Sequence, residues 1–187
     1  RPLRAAIATR ICDHGRGCDF IMSRLLILNT LRTPIRVPLK WAIFALVVLA
    51  VCFPYPSVLS RHIQHWRNPN ALIEPDAPAL RPLVDALRLQ VDPDLPPREA
   101  LKRVERFVLK RLPYAWDWET WGTADYMPTV TEALEMGRED CDGRAVVAAS
   151  LLKNLGFEAK IVTNFSHVWV QTDKGDTMGP GKRKAIV

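Results

Sequence analysis

Cysteine is scarce in this 187-residue chain: there are four, and only Cys141 lies beyond residue 52. A lone cysteine there excludes an internal disulfide and leaves a free thiol. Histidine is as sparse, with His167 the only one past residue 76. Cys12, His14 and Cys18, in CDHGRGC, do not follow a zinc-ligand spacing and read as an irregular tail. There is no internal repeat and no low-complexity tract. Nor is there a basic face interleaved with aromatics, so the net charge of +6 does not point to nucleic acid. That charge sits largely in the first 67 residues. Contents of 48% hydrophobic and 25% charged residues exclude wholesale disorder. The length suits one domain with appendages.

Charge is also missing from residues 41–60, WAIFALVVLAVCFPYPSVLS. A run of that length is close to the roughly 20 residues that cross a bilayer core. Arg24, Arg32, Arg36 and Lys40 precede it, which by the positive-inside rule keeps that end cytoplasmic and sends the rest outward. The reading is a signal anchor, with the C-terminal domain extracytoplasmic and the membrane as partner through residues 41–60. A cleaved signal peptide and a buried core helix are the alternatives. Pro54 and Pro56 weaken the distal third. The chain opens on Arg1, and Met22 begins a basic lead-in typical of a membrane segment, so Met22 is read as the start. The division is then 1–40 basic segment, 41–60 anchor, 61–76 linker rich in Pro and Asn, and 77–187 globular domain. The terminal KAIV looks like the start of a further strand, as if the sheet continued beyond residue 187.

Within the globular part, Leu80, Leu83, Val84 and Leu87 follow a 3.6-residue period, as do Ala100, Leu101, Val104, Phe107 and Val108. Both predict helices. An aromatic-rich loop follows, with Tyr114, Trp116, Trp118, Trp121 and Tyr126. Thr129 and Glu132 form a capping box for a short helix closed by Gly137. Residues 145–155 make a mostly buried helix stopped by Gly156, and Cys141 stands at its head. FEAKIVT and SHVWVQT are strand-like, joined onward through a turn at DKGD. The fold class is α+β, with helices packed on a small antiparallel sheet.

The chemistry rests on Cys141 and His167. A helix head offers unpaired N–H groups and a positive dipole end, which favour a thiolate and can hold an oxyanion. His167, on the second strand after that helix, can be folded back over it as the base. By default such a cysteine is a small buried hydrophobe and such a histidine a structural residue. Asp140 and Asp142 flank the cysteine, with Arg138, Glu139 and Arg144 close by, so the site is a polar helix mouth. The aromatic loop offers a wall for a peptide groove.

These residues resemble a known pattern. Tyr114, Asp117, Trp121, Gly122, Tyr126, Thr129, Glu132, then Asp140, Cys141, Asp142, then Leu155, Gly156 and His167 are similar to the core of the transglutaminase-like superfamily. The likeness is nearest to bacterial transglutaminase-like cysteine proteinases. It implies a papain-like fold and a Cys-His-Asp triad acting on peptide or protein amides. The implied substrate wall is Trp116, Trp121, Tyr126 and Trp169. No cofactor is required, though exported relatives hold calcium through acids at the positions of Asp140 and Asp142, where Asp140 also reads as the helix N-cap. The chain departs from the pattern at Glu139, where glycine is usual, and at Gly143, where an acid is usual. The third triad slot falls near residues 178–180, which hold no carboxylate. Asp176 is the nearest candidate, with Asn164 or a later segment as alternatives. The expected activity is a membrane-anchored thiol peptidase or amidase. The alternatives are a cross-linking acyl transferase of the same fold, or a degenerate domain that binds peptides.

Overall fold

The computed structural model describes residues 38–92, 94–164 and 166–179. The tail with Cys12, His14 and Cys18, the start at Met22 and the terminal KAIV lie outside them. The chain divides into two compact units, 1–46 and 47–187. The described residues of the first are 38–46, which hold the opening turns of helix α1.

Helix α1, Leu39–Cys52, has 14 residues and buries none of them. At 1.5 Å per residue it spans about 21 Å, short of a bilayer core of about 30 Å. The stretch 41–60, read as one span, is divided between two helices. Pro54 supplies no N–H to continue the ladder, and Pro56 opens a new helix, α2, Pro56–Arg67, bent 89° from the first. Among the described residues no single helix is long and apolar enough to cross a membrane; the bent pair passes on length and composition together.

The stretch 61–76, read as a linker, is ordered. The end of α2 and a 3₁₀ turn over Pro69–Leu72 occupy it, and Leu72 joins the hydrophobic core. Asn70 locks this segment to the sheet, accepting the Ile161 N–H at 2.7 Å. Helix α2 grips the loop that leads to the site. His65 Nδ1 meets the Met127 carbonyl at 2.6 Å, Arg61 pairs with Glu132 at 2.6 Å, and the Ala124 N–H reaches the Cys52 carbonyl at 2.8 Å.

The amphipathic helices form as their periodicity predicts. Helix α3, Arg81–Arg88, buries Leu83, Val84 and Leu87. Helix α4, Pro97–Arg111, buries Ala100, Leu101, Val104 and Val108. A one-turn helix α5, Asp117–Thr120, lies in the aromatic loop. Helix α6, Val130–Met136, opens on the reciprocal Thr129–Glu132 capping box and ends at Gly137, whose φ of 68° needs the left-handed region. Helix α7, Cys141–Asn154, is the central element, with 11 of its 14 residues buried. A helix apolar on nearly every side must be surrounded, and α4, α6 and the sheet pack around it.

The sheet has three antiparallel strands in the order β1 (Ala159–Asn164), β2 (His167–Thr172), β3 (Gly175–Thr177). In β2 the period of two buries Val168 and Val170 toward α7, while His167, Trp169 and Gln171 take the other face. The register pairs Asn164 with His167 and Ile161 with Val170. The architecture is that of an α+β core.

Candidate active site

Three local facts position the thiol. Asp140 is extended, caps α7 and accepts the Asp142 N–H through Oδ1 at 2.9 Å. Cys141 is thereby the first helical residue. Its sulfur donates to Asp142 Oδ1 at 3.3 Å and receives the backbone N–H of Val168, next to His167 on β2. The half-buried Cys141 and His167 line one cleft of about 1350 Å³. Tyr114, Trp116, Asp140 and Met178 line it as well.

His167 is held at its far nitrogen. Nε2 lies 2.7 Å from the Met178 carbonyl oxygen. A carbonyl can only accept, so Nε2 carries a hydrogen, and in the neutral ring Nδ1 keeps the lone pair. Trp169 stacks on the imidazole, its ring 6.3 Å away and tilted by 13°. Met178 itself has a φ of 61°, unusual for a non-glycine residue. The slot at residues 178–180, which lacks a carboxylate, is thus served by backbone. A backbone acceptor leaves no side-chain signature, and for that reason the sequence could not show it.

Asp176 does not fill the orienting role, and that expectation is corrected. It lies opposite Gln171 in the β2–β3 ladder and is exposed, lining a separate small hollow with Arg98, Leu101 and Lys102. Its neighbour Thr177 is the inward residue, bonded to Glu105 at 3.3 Å. The aromatic wall is likewise divided. Trp116 lines the cleft and is 60% exposed. Tyr126 is fully buried, with its hydroxyl donating to Glu132 at 3.1 Å and its N–H to Asp117 Oδ2 at 2.6 Å. It cannot touch a substrate. Trp121 packs on Tyr126 at 4.8 Å, and Trp169 backs the imidazole, so both support the site from behind. Asn164 lines the cleft and pairs with His167 in the ladder. Two further residues shape the site. Tyr114 forms its wall, and the Arg144 guanidinium lies 5.0 Å from the Tyr114 ring while Nε donates to the Leu112 carbonyl at 2.9 Å.

The electrostatics differ from the simple helix-head expectation. Burial pushes the Cys141 thiol above its ordinary range, and the Asp142 and Asp140 carboxyls push it further; the Val168 N–H opposes them. The helix dipole contributes on the order of 0.3–1 kcal/mol, while stripping water from a thiolate costs several. Desolvation wins, and the resting group is the thiol. The surrounding acids are raised too. Burial, then Asp140, pushes Asp117 up to about 8. Burial, then Asp117, brings Glu139 to about 8. Asp140 rises to about 6, burial being opposed by the Asp142 N–H. Asp142 is raised well above the usual range, first by burial and then by Asp140.

A cysteine at a helix head, an imidazole of fixed tautomer and a walled cleft together can take a thiol proton and present sulfur to an acyl carbon. The family model described as the transglutaminase-like superfamily matches residues 85–176, which carry α4 to α7 and the three strands. No curated protein matches the chain. By that match, and by an α+β core with a cysteine heading its central helix and a histidine on the following sheet, the chain belongs to the transglutaminase-like superfamily through residues 85–176.

Proposed function

We propose that the protein is a thiol-dependent amide hydrolase, a peptidase or amidase acting on peptide or protein amides, with Cys141 as nucleophile and His167 as base. One observation carries the reading: Cys141 and His167 line the same cleft, and the Met178 bond to Nε2 leaves Nδ1 as the basic nitrogen. The thiol proton passes to Nδ1 as the sulfur bonds to the acyl carbon. The imidazolium then returns that proton to the leaving amine, and the C–N bond breaks to leave a thioester. Water attacking the thioester completes hydrolysis. An amine attacking it instead gives transfer, so a cross-linking acyl transferase is the same site with a different second acceptor. Trp116, and Tyr114 beside it, are the contacts offered to the substrate chain.

A binding module without catalysis is the second reading. It is favoured by the raised thiol and by the neutral carbonyl in place of an orienting carboxylate. The anchoring role of residues 41–60, with the domain outside the cytoplasm, belongs to the proposal as well. Its support is the uncharged run and the wholly unburied α1.

The test is intact-mass spectrometry after mixing the protein with an activated aryl ester. The hydrolase reading expects one acyl group on Cys141, released by hydroxylamine, absent in Cys141→Ser and formed at least about 100-fold more slowly in His167→Ala. Equal acylation in Cys141→Ser, or none in the parent protein, leaves the binding module standing.

A further inference from the structure

We propose that Asp125 selects substrates that carry an ammonium group beside the scissile amide, held by its carboxylate and the neighbouring Trp66 indole. This selectivity presupposes the hydrolase reading of the same cleft. Asp125 and Trp66 both line the cleft that holds Cys141 and His167. The Asp125 side chain is 44% exposed, so its carboxylate is open to a ligand. Trp66 stands one turn along α2 from His62, with the two rings 6.3 Å apart, and His62 Nε2 lies 3.7 Å from Asp125 Oδ2. Indole and carboxylate are thus neighbours in one wall. A cation is attracted to the carboxylate by charge and to the indole by its ring quadrupole.

None of the ion pairs among the described residues joins Asp125 to a lysine or arginine. Its ion-pair partner is His62, which burial holds below its ordinary range against the pull of Asp125, so the ring is uncharged at neutral pH. Asp117, which burial raises to about 8, keeps its proton at neutral pH and bonds to Asp125 without cancelling its charge. The basic residues of the cleft are engaged elsewhere. Lys102 closes on Glu99 at 2.9 Å, and Arg106 Nε donates to the Lys102 carbonyl at 3.3 Å. Arg144 is buried against the Tyr114 ring.

The carboxylate is also held in place and close to the thiol. Its loop is tied down on either side, by the Ala124 N–H on the Cys52 carbonyl at 2.8 Å and by His65 Nδ1 on the Met127 carbonyl at 2.6 Å. A group fixed in advance lowers the cost of ordering a ligand against it. After burial, Asp125 is among the charges that raise Asp140 and Asp142, the two residues flanking Cys141. A cation on Asp125 therefore lies near the reacting amide. It is not the attacking amine of a transfer reaction. That amine must reach the acyl carbon, whereas this one stays on the carboxylate throughout.

Matched p-nitrophenyl esters of Nα-acetyl-lysine and of Nα-acetyl-norleucine, which lacks only the ammonium, test the selection on the full chain in detergent. Cys141 acylation, corrected for spontaneous hydrolysis, should be at least about fivefold faster with the lysine ester. Added salt should shrink that preference in the parent protein. In Asp125→Asn the ratio of the two rates should fall to within about twofold of unity. A merely structural role for Asp125 would slow both esters alike and leave the ratio standing. A norleucine ester with a free amino group, if it is preferred to the acetylated one only while Asp125 is present, assigns the cation to a peptide amino terminus rather than to a side chain. Binding is read separately in Cys141→Ser, from the change in tryptophan fluorescence with Nα-acetyl-lysinamide and Nα-acetyl-norleucinamide, the former expected to bind more tightly. Acylation by none of the esters refutes the hydrolase reading, and the binding comparison then decides the subsite alone. The subsite is overturned if neither source of ammonium is preferred, if the preference survives Asp125→Asn or is unmoved by salt, or if the two amides bind Cys141→Ser equally.

Discussion

Gly143→Ala is the most informative single perturbation of the fold. Residue 143 is the third residue of α7, and alanine there should gain up to about 1 kcal/mol of helix propensity. Against this stands the contact with Glu139. The new methyl would meet Cγ, Cδ and Oε2 at 2.6 Å, and Glu139 is fully buried with no room to withdraw. Forcing a methyl into packed space costs about 1–3 kcal/mol. The clash exceeds the propensity gain, and a net loss of about 0.5–2 kcal/mol is expected. A double-mutant cycle with Glu139→Ala isolates the contact by urea denaturation. The double variant should be more stable than Gly143→Ala alone, because removing the acid removes the clash. The reasoning is refuted if Gly143→Ala is stabilising by the full propensity gain, or if the cycle shows no coupling.

Other outcomes follow from the same geometry. Asp117 and Glu139 are raised to about 8 in the fold, so between roughly pH 4 and 8 the folded state holds protons that the unfolded chain has lost. Stability should therefore fall as pH rises from about 4 to above 8. Denaturation at a series of pH values checks this, and Glu139→Gln should flatten the slope. Asp176→Ala should leave the rate of Cys141 acylation within about twofold, since Asp176 is exposed on β3 and does not bond His167. Thr129→Ala should cost about 0.5–2 kcal/mol in thermal denaturation by breaking the α6 capping box.

The parts of the fold that were legible in sequence are those written in periodicity and caps. The buried face of α4, the Thr129–Glu132 box and the Gly137 stop all depend on short-range physics that residue order displays. So does the head of α7, where Asp140 caps and Cys141 follows. The rest depends on tertiary context. The start of strand β3 was hidden because Gly175 and Asp176 read as turn residues and pair only because β2 is beside them. The aromatic loop showed its composition but not which rings face inward, and Tyr126 turned out to be buried. The orienting partner of His167 is a carbonyl, which every residue has. The direction of the thiol shift was misread for a related reason. A helix head can be recognised in sequence, but the burial that overrides it cannot.

The central physical claim is that Cys141 rests as a neutral thiol and becomes nucleophilic only by handing its proton to His167. Thiolate absorbance near 240 nm, taken as the difference between the parent protein and Cys141→Ser across pH, measures this directly. No ionisation step below about pH 8 is expected. A step below about pH 7 would mean a preformed thiolate–imidazolium pair and would contradict the account.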